Sequence, residues 1–413
     1  MRILIISNYY PPVEMGGWPQ LTSNIVDHLS ERGHQTLVLT SRHQKERIKV
    51  PEQGIRRVLH LQNPDHNYYH ARYLLTERWH DHENLHYVRQ AATNFKPDVM
   101  FIHGLWNMSR KLVLDLERLY PNQIVYYVAS TWPVEMDVHT SYWTSPTKRL
   151  WLRLPKRVLG TIVRQTLLSN IPSQSLKFKR VLCVSKFIQN CLVDQAGIPI
   201  QNTQVVHNGV DVKEFIPKPD KSKGNNKLEL IYAGGFWEHK GVTSAIESVD
   251  HLVNKLDVRN FHLTLVGSGH PAYVSSMMKQ INESGLINYI SFKDYVSRDK
   301  MPALLASYDL LLFPSIGSEA LPRIVQEAMA CGLLVIGSTA GGTPEILVDG
   351  KNGLAFKAGD SKMLAEKIAL AASDPDLRTR LARAARSTVE ENFTIEAMVD
   401  KIEDYLTKIV NSE

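Results

Sequence analysis

The 413-residue chain has only three cysteines, Cys183, Cys191 and Cys331, with no CxxC pair among them. An odd, scattered set excludes a disulfide framework and a thiolate zinc site, and it favours a reducing compartment. There is no run of 18 apolar residues, so no membrane-crossing helix is expected. The opening MRILIISNYY lacks a signal-peptide pattern, because its short apolar run ends at Pro11-Pro12. It reads instead as a first buried strand, and the expected location is cytoplasmic. Neither half opens with a complete six-residue dinucleotide fingerprint; LVGSG at 265–269 supplies only GxG after an internal strand. That disfavours an NAD-dependent dehydrogenase. Acid is missing from one long stretch: between Val138 and Val193 there is no Asp or Glu, yet there are ten Lys and Arg.

What is present describes a globular protein. The chain is 43% apolar and 22% charged, and its length predicts two domains of about 200 residues each. Its net charge of +6 is uneven, with 26 Lys+Arg against 17 Asp+Glu over residues 1–215 and 22 against 25 thereafter. Arg2–Ser7, a Gly16-Gly17 loop, a helix from about Gln20 to Arg32 and a strand at Gln35–Thr40 form a βαβ unit. Val99–His103, Ile124–Ala129 and Arg180–Val184 read as further buried strands, while 60–90, rich in His, Tyr and Arg, resists assignment. IPKPDKSKGNNK at 216–227 reads as a linker. The pattern restarts with Leu228–Ala233 and a helix from Gly241, and it closes on an amphipathic helix over 395–413. The fold class is therefore α/β: Rossmann-like domains at 1–215 and 228–394 facing each other across a central cleft.

The segment SEALPRIVQEAMACG carries the densest chemical signal. Glu319 and Glu327 are eight positions apart, and Pro322 between them marks a helix start. The five steps from Pro322 to Glu327 cover roughly 7–8 Å. Two carboxylates so placed can hold two ends of an elongated polar ligand, and backbone N–H groups at Ala320 and Leu321 can meet an anion. Lys240 ends the loop AGGFWEHK, where Gly234 and Gly235 permit close backbone approach and the lysine can pair with a diphosphate. Gly16 and Gly17 offer a similar glycine turn in the first domain, and Gly267 a turn near the nucleotide base. Each has a plainer reading, as a solvated lysine, surface carboxylates or ordinary tight turns; together they describe a nucleotide-sugar site.

Set in order, these pieces resemble the family-4 retaining glycosyltransferases, the group 1 enzymes with the GT-B fold. Matching segments run from Gly16-Gly17 and Arg32-Gly33-His34 through VSKFIQNCL at 184–192, HNGVD at 207–211 and Lys240-Gly241. They continue with LVGSG, VSRDKMPALLASYDLLLFPS at 296–315, the glutamate pair and GGTPE at 341–345. The resemblance implies that Glu327 holds the ribose hydroxyls, Lys240 neutralises the diphosphate and Glu319 contacts the donor sugar. It implies a last helix packed back on the first, acceptor-binding domain. It also implies front-face substitution with retention, the departing diphosphate helping to deprotonate the acceptor.

Two departures stand out. Gly235 replaces an arginine common in the family, and Arg323 is the candidate to restore that cation. Ser130-Thr131-Trp132 stands where the family often has His or Asp, leaving His103 as the candidate polar or catalytic group of the first domain. No DxD-like aspartate pair occurs in a suitable loop, so neither a metal nor any cofactor besides the donor substrate is expected. The implied partners are a nucleotide-sugar donor (UDP or GDP) and a glycan, lipid-linked or small-molecule acceptor; nucleic acid is not among them. A non-catalytic nucleotide-sugar-binding subunit is the alternative function. The basic stretch 148–180 mixes cations with Trp151, Leu154, Val158, Leu159 and Ile162. It suits a helix lying on an anionic membrane surface, at the inner face of the cytoplasmic membrane. The other reading is a domain helix whose apolar face belongs to the core.

Overall fold

The computed structural model describes residues 1–13, 16–48, 53–64, 72–147, 150–166, 175–217 and 227–412. The chain divides into two compact units, Met1–Val206 with Val399–Glu413, and His207–Met398.

Among the described residues, the first unit is built on a seven-stranded sheet in the order β3-β2-β1-β4-β5-β6-β7. These strands are β1 (Arg2–Ile6), β2 (Gln35–Ser41), β3 (Ile55–Leu59), β4 (Val99–His103), β5 (Ile124–Val128), β6 (Val181–Cys183) and β7 (Thr203–Val205). All pairings are parallel, with Ile3 opposite both Thr36 and Val99. VMFIH and IVYYV are buried along their whole length, as a parallel sheet covered on both faces requires. Each fully buried Ile, Leu or Val contributes about 1.5–3 kcal/mol.

Within the unassigned stretch 60–90 lies most of a 24-residue helix, Arg72–Phe95. Its inward stripe runs Leu74, Glu77, Asp81, Asn84, Val88, Ala91, a helical spacing with three polar members. Each polar member has a polar partner. Glu77 accepts from Gln62 Nε2 at 2.8 Å, and Asp81 accepts from Ser109 Oγ at 3.1 Å. Asn84 bonds both the N–H and the carbonyl of His60. Burial pushes the Glu77 carboxyl up to about 7 and Asp81 to about 6.

The second unit has a six-stranded parallel sheet in the order β10-β9-β8-β11-β12-β13. Its strands are β8 (Leu228–Ala233), β9 (Phe261–Val266), β10 (Ile290–Lys293), β11 (Leu310–Phe313), β12 (Leu334–Ser338) and β13 (Leu354–Phe356). Leu230, Leu263, Leu312 and Ile336 from the sheet pack with Ile246, Val249 and Ile368 from its helices.

Two boundaries differ from the sequence reading. The segment 207–215, expected in the first domain, groups with the second unit. Asn208 Nδ2 donates to Gln326 Oε1 at 3.1 Å and Gln326 Nε2 returns a bond to the Asn208 carbonyl, which fixes the segment there. The helix Ile395–Asn411 changes unit at Met398/Val399, and within the first unit Arg32 pairs with Asp400 and Glu403 at 2.7 and 2.6 Å. Most of the expected linker, 218–226, lies outside the described residues, as do 148–149 and 167–174 of the basic stretch.

Candidate functional site

Strand order in the second sheet reverses between β8 and β11. Open α/β sheets bind ligands at such a reversal, beyond the carboxyl ends of the strands. Lys240 lies on the loop leaving β8 and Glu319 on the loop leaving β11, and the structure brings them together. Lys240 Nζ donates to Glu319 Oε1 at 2.7 Å, and Ser315 Oγ donates to the same oxygen at 2.6 Å. The lysine and glutamate side chains keep 32% and 15% exposure. Among the described residues Glu319 Oε2 makes no bond, so the carboxylate retains an acceptor for a ligand hydroxyl.

Backbone contacts set this geometry. Ile316 and Gly317 N–H both donate to the His239 carbonyl, tying the β11 loop to the residue before Lys240. Gly342 N–H donates to the Glu319 carbonyl at 2.7 Å. Gly341 has φ +57°, and a Cβ there would lie 2.1 Å from the Glu319 carbonyl oxygen. Only glycine lets the GGTPE turn close on Glu319 in this way. On the other side Gly234 N–H bonds the Val266 carbonyl at the end of β9, and Gly267 sits against Gly234. The Tyr232 hydroxyl donates to the Gly235 carbonyl at 2.8 Å. Burial, reinforced by the Glu319 charge, holds that phenol far above its ordinary pKa, so it remains a donor.

Position 235 is where the missing arginine was noted. A Cβ on Gly235 would lie 2.5 Å from Trp237 Nε1, so the indole takes the space a longer residue would need. Arg323, expected to supply the replacement cation, has Glu327 beside it. Its Nε lies 3.6 Å from Glu327 Oε1, one turn along the same helix. A second guanidinium, Arg298 Nη2, reaches that oxygen at 2.6 Å and lies over the Phe215 ring at 4.9 Å. Glu327 is 1% exposed, on the helix Arg323–Ala330. Pro322 is extended and caps that helix instead of occupying its first turn. Ala320 and Leu321 lead into a helix start whose first N–H groups have no intrahelical partners. Sequence reasoning missed Ser315, Arg298 and Trp237. The Arg323–Glu327 spacing of four was a readable signal that those two would pair with each other.

In the first unit the sheet order reverses between β1 and β4. Gly16 (φ +77°) and Gly17 lead into the helix Trp18–Glu31. Asn8, after β1, accepts from Trp18 Nε1 at 3.1 Å and donates to the Trp106 carbonyl at 2.6 Å. Trp18 and Trp106 meet edge to face at 6.4 Å. This half-exposed aromatic pair was not anticipated. His103, the candidate polar or catalytic group of this unit, has no exposed surface, bonds Thr22 Oγ1 at 2.7 Å and packs on Tyr127. Trp132 is likewise buried, against Phe178, and Arg110 donates to its carbonyl. Among the described residues no group of three or more His, Cys, Asp or Glu is arranged to hold a metal ion, and no helix is long and apolar enough to cross a membrane.

Comparison with known proteins gives this geometry a family. The model of glycosyl transferases group 1 matches residues 213–388, and that of glycosyltransferase family 4 matches residues 15–214. N-acetyl-alpha-D-glucosaminyl L-malate synthase of Bacillus anthracis is 28% identical over 213 residues, 50% of this chain and 53% of that protein. Across three of the matched curated relatives the chain spans 53%, 59% and 61% of their length. Sucrose-phosphate synthase of Thermosynechococcus elongatus superposes with a TM-score of 0.75 at 18% identity over 100% of both chains. Anabaena HepE in complex with UDP superposes at 0.70 and 20% identity, over 99% of this chain and 100% of its own. These likenesses give the fold as GT-B, and with both family models matched in succession the chain belongs to the group 1, family-4 glycosyltransferases.

Proposed function

We propose that this protein is a retaining glycosyltransferase that moves a sugar from a nucleoside-diphosphate donor, UDP- or GDP-linked, to an acceptor hydroxyl. The observation that carries the reading is the Lys240–Glu319–Ser315 constellation at the strand-order reversal of the second unit. A partly exposed ammonium beside a helix start suits a diphosphate, and a carboxylate with one unengaged oxygen suits a sugar hydroxyl. The UDP in the structural neighbour HepE supports a uridine donor.

In the proposed reaction the bond from the anomeric carbon to the diphosphate oxygen breaks as the acceptor oxygen approaches the same face. The acceptor proton passes to the departing phosphate oxygen. Lys240 and the N–H groups around Ala320 and Leu321 stabilise the charge that develops on the leaving group, and no metal is assigned to that task. Glu319 orients the sugar, and Glu327, steadied by Arg298 and Arg323, is assigned to the ribose side. The Trp18 and Trp106 rings of the first unit are suited to an acceptor sugar, whose apolar face stacks on aromatic surface. Calorimetric titration of the full chain with UDP and GDP tests the donor assignment. Binding of at least one, weakened at least about tenfold in Lys240→Ala, is expected. No binding of either nucleotide would overturn it.

A further inference from the structure

A surface helix of a globular protein ordinarily turns its apolar stripe to the core. The helix Arg153–Thr166 does the reverse. Trp151, just before it, and Leu154, Val158, Leu159 and Ile162 along it are 71%, 75%, 56%, 52% and 50% exposed. The side that packs carries Gly160 and Val163. Val163 touches Leu74 and Trp143, and a Cβ on Gly160 would come 2.9 Å from the Trp143 carbonyl oxygen. At 3.6 residues per turn, the row Leu154, Val158, Ile162 lies about 160° round the helix from that packed side. The apolar face is therefore directed outward by the way the helix is seated.

We propose that this face docks on an anionic lipid surface. Charge selects that occupant. Arg153 and Arg157 are exposed and lie to one side of the apolar row, about 140° and 100° from its centre. No acidic residue occurs anywhere between Val138 and Val193 to oppose them. Lys156 leans inward over the Tyr142 ring at 4.3 Å and bonds the Ser145 carbonyl, which ties the helix to Val138–Thr144. A second copy of the chain fits this face poorly, because a two-fold contact would set the same cations against each other. A lipid interface takes both elements at once: apolar side chains enter the acyl boundary while guanidiniums meet anionic headgroups. The reading does not depend on the donor assignment.

The test is co-sedimentation of the full chain with vesicles of phosphatidylcholine alone and with about 30 mol% phosphatidylglycerol. Partition into the anionic vesicles should be at least about tenfold higher and should fall as salt is raised. Leu154→Ser with Ile162→Ser should lower partition about tenfold or more while leaving Tm and nucleotide binding unchanged. Arg153→Gln with Arg157→Gln should remove the preference for anionic lipid. Trp151 emission should shift to the blue on binding, and Trp151→Phe should lose that shift. Equal pelleting with both vesicle types, or a serine variant that pellets like the parent, overturns the proposal. A concentration-dependent dimer abolished by the serine variant would also overturn it, assigning the face to a second copy.

Discussion

Replacing Gly341 by alanine tests whether the GGTPE turn holds Glu319 in register. The added Cβ would lie 2.1 Å from the Glu319 carbonyl oxygen, whereas carbon–oxygen contacts settle near 3.3–3.6 Å, so the loop must move by roughly 1 Å. The backbone adds a second term, since φ is +57° and a left-handed conformation costs an L-residue about 1–2 kcal/mol. Displacement of a positioning group by about 1 Å lowers turnover about 10²-fold. The strain alone lowers Tm by about 2–4 °C per kcal/mol in a unit of this size. Gly350→Ala separates the two effects, because Gly350 has φ +70° with nothing within 4 Å of its Cβ position. It should lower Tm and leave kcat intact. The assay is kcat at saturating donor, with Tm measured in parallel. If Gly341→Ala turns over within about threefold of the parent while Tm falls, the turn does not position Glu319 and the argument fails.

Other outcomes follow from the same contacts. Among the described residues Arg298→Ala leaves the nearly buried Glu327 carboxylate with Arg323 as its remaining ion-pair partner, so stability should fall by about 2–3 kcal/mol in a urea melt, with Arg298→Lys recovering part of it. Glu77, whose carboxyl burial raises from 4.5 to about 7, binds its proton more tightly in the folded state. Its contribution to stability is thus present at low pH and lost as pH rises from about 4.5 to about 7. Burial lowers His80 and His139 to about 4, which makes stability rise with pH between about 4 and 6.5 and offsets the carboxylate. Glu77→Gln should therefore make Tm climb more steeply across that window than in the parent; an identical Tm–pH curve would show that Glu77 does not titrate there.

The strands were legible because parallel strands covered on both faces are continuous apolar runs such as VMFIH and LLLF, and those need no long-range information. The helix over 72–95 was not, because Glu77, Asp81 and Asn84 occupy its inner stripe and erase the apolar period. Their partners Gln62, Ser109 and His60 come from distant loops that no local pattern reveals. At the candidate site, Lys240 and Glu319 were readable from their loops and glycines, yet their direct bond through a shared Glu319 oxygen was not. Ser315 and Arg298 were hidden because a serine after a strand and an arginine in a polar turn are ordinary residues. The burial of His103 was hidden for the complementary reason: a polar residue ending a strand reads as exposed, whereas Thr22, on the covering helix, gives it a partner inside.

The measurement closest to the central claim is single-turnover release of nucleoside diphosphate from a donor sugar, for the parent chain, Lys240→Ala and Lys240→Arg. If Lys240 stabilises the departing diphosphate, alanine should slow the step by about 10²–10³-fold, and arginine should recover part of it. A Lys240→Ala enzyme that releases diphosphate at the parental rate would contradict the assignment of this site.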